Sequence, residues 1–357
     1  MKLSVRACCC ALAWLLCVPL AWACAICAPA DVQNTLVQRL LAADAVVLAE
    51  ASDAGKGWRV RDTLKGVPPS APISVAAPSL GGVPAGPQLL AYSAATQSWR
   101  VLGHLAPARA DWARRLMAMR RAVDMPEVAW PQRLAFFAPD LENAEPLVAE
   151  AAYQEISVAP YAAMRTLRPV LEAASLERWL DAPELASRRP LYTLLLGVAG
   201  AAAAADRLES RLLGADAALS LAEHSALFAA YLELRGSAGL QWLERQFLTD
   251  PSRPEQALQA ALLALSVHGN DGIRLSRERV IQAYAALIRH NPARAGLVAS
   301  DLGNWERWEF AADYAAILKS GTTQAFASRY GMVFYLMRNP LPAAREALQA
   351  LRAANLL

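Results

Sequence analysis

Histidine is scarce in this chain of 357 residues. Its four copies, His104, His224, His268 and His290, stand isolated, so no set of soft or imidazole ligands is assembled for a metal ion. Net charge is small too. The formal value is +3, and less the charges of Lys2 and Arg6, which belong to the leader described below, it is +1. A nearly neutral chain has no global field to draw in nucleic acid or an anionic membrane, and only local basic patches remain. Lysine occurs only at Lys2, Lys56, Lys65 and Lys319, which leaves arginine to carry the positive charge. Catalytic signatures are missing. There is no H-E-x-x-H, no G-x-S-x-G, no phosphate loop and no dinucleotide fingerprint, so neither an enzyme nor a cofactor is expected. Carboxylates do pair at helical spacing, Glu142 with Glu145 and Glu306 with Glu309, but with no cleft to raise one pKa they read as solvated faces. Past the first two dozen residues, no uncharged apolar stretch reaches the roughly 20 residues that a membrane span needs.

What is present is a core-forming chain. Apolar residues make up 55% and charged ones 19%, a balance that excludes disorder, and the length suits two domains. Lys2 and Arg6, the apolar run "ALAWLLCVPLAWA" and the small-residue site Ala21-Trp22-Ala23 predict a signal peptide over residues 1–23, with Pro19 breaking the helix just before the cut. The mature chain is then exported, to a periplasm or the outside. Cleavage would discard Cys8, Cys9, Cys10 and Cys17 and leave Cys24 as the first residue with Cys27 as its only possible partner. A c-type haem site fails because Ala28, not histidine, follows. A thioredoxin-like pair would sit at the start of a helix behind a strand, and a metal site would need two more ligands. Acylation of Cys24 stays open, since Leu20-Ala21-Trp22-Ala23 resembles a bacterial lipoprotein signal in part, departing at Ala21 and the bulky Trp22. The favoured reading is a structural disulfide, whose short loop places it at the low end of the usual ~2–4 kcal/mol.

Downstream, Pro29 and Asp31 predict a helix start, and Val32, Leu36, Leu40 and Leu41 share one face up to Asp44. "AVVLAEAS", "GWRVRDTLKG" and "PISVAAP" are strand candidates, and "PQLLAYS" with "SWRVLGHL" predicts a hairpin around Ala94 to Gln97. Together with "CAIC", this order resembles the secreted netrin-like, tissue-inhibitor-of-metalloproteinase-like modules, over about a quarter of the chain. The resemblance implies a small OB-type, β-barrel-like domain over residues 24–106. In that family an N-terminal Cys-x-Cys pairs with distant cysteines and the free terminus can chelate a protease's zinc. Here the spacing is Cys24-x-x-Cys27 without distant cysteines, so inhibition does not carry over.

From Pro107 the grammar becomes helical. "ARADWARRLMAMRRAV" sets Trp112, Leu116 and Met119 on one face, with Arg114, Arg115 and Arg121 on a solvated face or, alternatively, binding phosphate. Helix pairs then recur at an irregular interval of roughly 32 to 43 residues. The fixed positions of a TPR are missing, and "NAEPLVAEAAYQEISVAPY" is similar to a HEAT repeat. The expected fold class is therefore α+β, mainly α, with a HEAT-like domain over residues 107–357 and an irregular bundle as the alternative. His268, in "SVHGNDG", reads as a turn-stabilising side chain.

One segment, "DLGNWERWEFAADYAAILKSGTTQAFASRYGMVFYLMRNP", concentrates aromatic residues, Phe326 and Phe334 among them. They either close the hydrophobic end of the array or line a concave binding surface, for which Trp305, Trp308, Tyr314, Tyr330 and Tyr335 are the candidates. The expected function is that of a non-enzymatic binding or scaffold protein for a protein, peptide or glycan partner. A thiol-disulfide or metal-handling factor acting through Cys24 and Cys27 is the alternative.

Overall fold

A computed structural model of the chain describes Ile26 and residues 34–51, 57–71, 73–75, 86–200, 202–214, 219–323 and 325–357. It is mainly helical, with one four-stranded antiparallel sheet. The chain divides into two compact units, one holding the remaining described residues up to Pro160, the other Tyr161–Leu357 with Ile26.

The first unit begins with α1 (Leu36–Ala42). Its cap is Thr35, whose hydroxyl accepts the Gln38 amide, and not the expected Asp31, which lies outside the described residues. Leu36, Val37 and Leu40 turn inward. β1 (Ala45–Ala51) is buried from Ala45 to Ala49 and has both edges paired, because it lies inside the sheet, whose order is β2-β1-β3-β4 with β2 Trp58–Lys65, β3 Gln88–Ser93 and β4 Ser98–His104. Alternation sends Val47 and Ala49 to one face, where they meet Leu90 and Ile73 under Trp58, Trp99 and Val101. The third expected strand, "PISVAAP", supplies only an isolated bridge from Ile73 to Trp58 among the described residues.

Three helices complete this unit: α2 (Ala110–Met117), α3 (Trp130–Phe137) and α4 (Pro146–Ser157). Trp112 and Leu116 face inward from α2, while Met119 falls beyond its end. The unit therefore continues to Pro160, past the boundary at 106/107 that the change in periodicity suggested. That change marks where strands give way to helices, and a buried polar knot ties the helices to the first unit. Glu155 of α4 accepts from Arg133 of α3 at 2.6 and 2.8 Å and from the Thr35 hydroxyl at 3.0 Å.

The second unit comprises α5 (Tyr161–Met164), α6 (Ala173–Asp181), α7 (Arg189–Ala199), α8 (Ala202–Leu213), α9 (Leu221–Leu243), α10 (Glu255–Asp271), α11 (Arg277–His290), α12 (Ala299–Asn304), α13 (Ala311–Ser320), α14 (Phe326–Arg338) and α15 (Pro342–Ala353). Most pack against near neighbours in sequence: α6 on α7, α9 on α7, α8 and α10, α10 on α11, and α14 on α12, α13 and α15. Small residues allow close helix crossings. A Cβ on Gly197 of α7 would stand 2.7 Å from the Ala230 Cα of α9. α9 opens with a reciprocal cap between Ser220 and Glu223 and is broken at Gly236, whose φ of 56° and ψ of −132° leave the helical region.

Buried charge is clasped at this break. The Arg165 guanidinium takes Glu233 through two nitrogens, at 2.7 and 3.0 Å, and also pairs with Asp271. His268 is helical and fully buried, not in a turn, and its Nε2 lies 3.0 Å from the Ala229 carbonyl. Tyr161 meets the imidazole edge-on at 5.4 Å.

Candidate binding surface

The aromatic segment supplies two populations of side chains, sorted by the geometry of α14. Its inner face is drawn against residues 292–298 by two glycines. A Cβ on Gly296 would lie 1.7 Å from the Ser328 carbonyl oxygen, and one on Gly331 would lie 2.3 Å from the Gly296 oxygen. The Ser328 hydroxyl accepts the Gly296 amide at 3.0 Å. Ser328, Met332, Tyr335 and Leu336 are thereby buried.

Three of the five residues expected on a binding surface belong to this interior. Tyr335 lies edge-on to Tyr314 at 4.9 Å and donates its hydroxyl to the Arg307 carbonyl at 2.5 Å. Tyr314 is fully buried and donates to the Ala295 carbonyl at 3.3 Å. Burial pushes both phenols above the ordinary value, so they stay neutral donors. Trp305 donates Nε1–H to the Asn270 side chain at 2.7 Å and stacks on Tyr284 at 5.7 Å with planes 7° apart. These side chains close the core, and surface roles for Trp305, Tyr314 and Tyr335 are withdrawn. Trp308 is half-buried against Tyr335 at 5.3 Å. It opens a 3-10 turn after α12 has ended, so it does not share a helix face with Trp305.

Tyr330 alone of the five is well exposed, and it stands in company that residue spacing could have revealed. Phe326, Tyr330 and Phe334 recur every fourth residue and are 81%, 58% and 41% exposed. Successive rings run nearly parallel, 21° and then 10° apart, with centroids 5.9 Å from each other. That spacing matches the roughly 6 Å rise of four helical residues. Met337 lies on the same side and the exposed Leu341 follows the helix. At about 100° per residue, positions 326, 330, 334 and 337 fall within roughly 80° of the circumference. The Arg338 guanidinium covers Phe334 at 5.6 Å and donates to Asn304 at 3.0 Å, fixing one end of the stripe. No described element covers this face.

Two of the paired carboxylates have structural partners. Glu145 accepts the Ala106 amide at 2.9 Å and Glu309 pairs with Arg307 at 2.7 Å. Among the described residues, no three His, Cys, Asp or Glu side chains gather as a metal site, and no helix is long and apolar enough to cross a membrane. Cys24 and Cys27 lie outside the described residues. No family model, curated protein or solved structure matches the chain.

Proposed function

We propose that this is an exported, non-enzymatic binding protein whose α14 face receives an apolar helical segment of a partner protein. The reading carries with it an OB-type head and a HEAT-like body, an architecture suited to displaying a surface. One observation supports it above the others: an ordered ladder of Phe326, Tyr330, Phe334 and Met337 lies exposed on a helix whose opposite face is locked by glycine contacts. Exposed apolar side chains that are scattered singly need no explanation, whereas a contiguous stripe marks an interaction site. The stripe runs about 17 Å from position 326 to 337, enough to engage about three turns of a facing helix. Its rings are already aligned, so binding would cost little side-chain ordering.

The test is a photo-crosslinking residue placed at Tyr330 of the full chain and illuminated in envelope extracts. A discrete adduct is expected, lost when Phe326 and Phe334 become serine and missing when the crosslinker replaces Arg59 on β2. An adduct of twice the chain mass would assign the face to a second copy. That result, or labelling indifferent to the serine changes, would overturn the proposal.

A further inference from the structure

The first unit holds an open cleft of about 670 Å³ between α1 and the β3–β4 edge of the sheet, a size typical of small-molecule sites. Its lining is basic. Arg39 comes from α1, Arg100 from β4 and Arg121 from the segment after α2, and among the described residues no carboxylate lines the cleft. Arg121 is neutralised by Asp124 at 2.7 Å. The other two are not. Among the described residues no carboxylate pairs with Arg39 or Arg100, and the Arg39 Nε is buried without a hydrogen-bond acceptor. Burial and the neighbouring Arg100 charge both press the Arg39 guanidinium below its ordinary pKa, against a weaker pull from Glu150.

A half-buried guanidinium beside a like charge is unfavourable without an anion, because its desolvation is not offset. Folding does not require that arrangement here. Leu36, Val37 and Leu40 seat α1, and the positions of Arg39 and Arg100 flank the cleft instead. Arg100 and Leu102 alternate along β4, so they share the face of the strand that looks into the cleft. Ala42, Ala43 and Leu102 give it apolar wall, and Thr96 and Ser98 bring hydroxyls. We propose that this cleft binds a small organic oxyanion, a phosphate- or carboxylate-bearing molecule, through Arg39 and Arg100. Planar guanidinium forks match both oxyanion types with paired hydrogen bonds, and the volume leaves room for an organic body beside the charged head. The site is independent of the α14 ladder and stands whether or not that surface binds a protein.

The experiment is calorimetric titration of the full chain at low ionic strength with methyl phosphate in one arm and succinate in the other. Saturable binding is expected in at least one arm, in the micromolar to millimolar range and weakening as salt is added. The arm that saturates identifies the head group. Arg100→Gln, at an exposed strand position, and Arg39→Met, which keeps the aliphatic stem, should each weaken binding about tenfold or more. Arg59→Gln on β2 should change nothing. Thermal unfolding gives a second readout. A structural arginine would lower the midpoint when replaced, whereas Arg39→Met is expected to hold or raise it, since an unpaired charge is removed. Failure of both arms to saturate, binding that survives both arginine changes, or a lowered midpoint for Arg39→Met would overturn the proposal.

Discussion

Removing Glu155 tests how the first unit is held together. The Arg133 and Glu155 side chains are only 3% and 1% exposed, so neither charge can turn to water. Arg133 gives Nε and Nη2 to one carboxylate oxygen at 2.8 and 2.6 Å and Nη1 to the Arg120 carbonyl at 2.8 Å. Thr35, which caps α1, donates to the other carboxylate oxygen at 3.0 Å. Glu155→Leu would strand a buried guanidinium on one carbonyl and leave the threonine hydroxyl without its acceptor. Breaking a buried pair this way costs about 3–5 kcal/mol. Arg133→Met would do the same to the carboxylate, with a similar loss. Replacing both together removes the stranded charge, so the double variant should lie within about 2 kcal/mol of the unaltered protein. The coupling between the two sites should then be about 3 kcal/mol or more. Because a chain with two units need not unfold in one step, the readout is amide hydrogen exchange of the β1 and β3 strands across a urea series. Single losses under about 1 kcal/mol, or a double loss equal to the sum of the singles, would refute the reasoning.

Two predictions concern the second unit. Burial lowers the pKa of His224 and of His268, for the latter despite the bond to Ala229 that acts the other way. Both then gain protons mainly on unfolding, so stability should fall as pH drops below about 6.5, by up to about 1.4 kcal/mol per pH unit for each histidine. Burial would raise the Glu233 carboxyl, but the hydrogen bonds and charge of Arg165 outweigh it and hold the pKa below 4.5, so a further decline should follow as pH falls through that lower value. Thermal midpoints between pH 7 and 3 measure this, and a curve flat from 7 to 5 would contradict the buried neutral imidazoles. In the other prediction, Gly296→Ala drives a methyl into the Ser328 carbonyl, which as backbone cannot yield. A loss of about 3 kcal/mol is expected, with faster exchange confined to α14 and its neighbours. Unchanged α14 amides would refute the close approach.

The sheet was legible because its signals are local. β1, β2 and the β3–β4 hairpin fall where β-branched runs and alternation put them, and the turn occupies Ala94 to Gln97 as expected. What local signals do not carry is long-range. Glu155 sits 120 residues from Thr35, and nothing in the spacing of either announces that they meet. The same holds for the arginine cleft, since Arg39 and Arg100 become neighbours only through the antiparallel path of the sheet. Gly269, Asn270 and Asp271 after His268 suggest a turn, yet all three continue α10. The helix ends one residue later, at Gly272, whose φ of 68° provides the left-handed cap.

The aromatic segment shows how the sequence alone could have gone further. Richness in tyrosine and tryptophan says that energy is stored there but not on which side of a helix it is spent. Periodicity does. On α14 the buried set, Ser328, Met332, Tyr335 and Leu336, occupies one side, and Phe326, Tyr330, Phe334 and Met337 repeat the apolar spacing on the other. A helix that packs on one side only should carry polar residues opposite. A second apolar stripe at the same period therefore implies a second packing partner, and the described fold supplies only the first, through residues 292–298 and helices α12, α13 and α15. The tryptophans were the more conspicuous candidates, but size and polarity favour their burial with a satisfied N–H, as Trp305 shows with Asn270. In this chain the displayed residues are those whose spacing the core does not use.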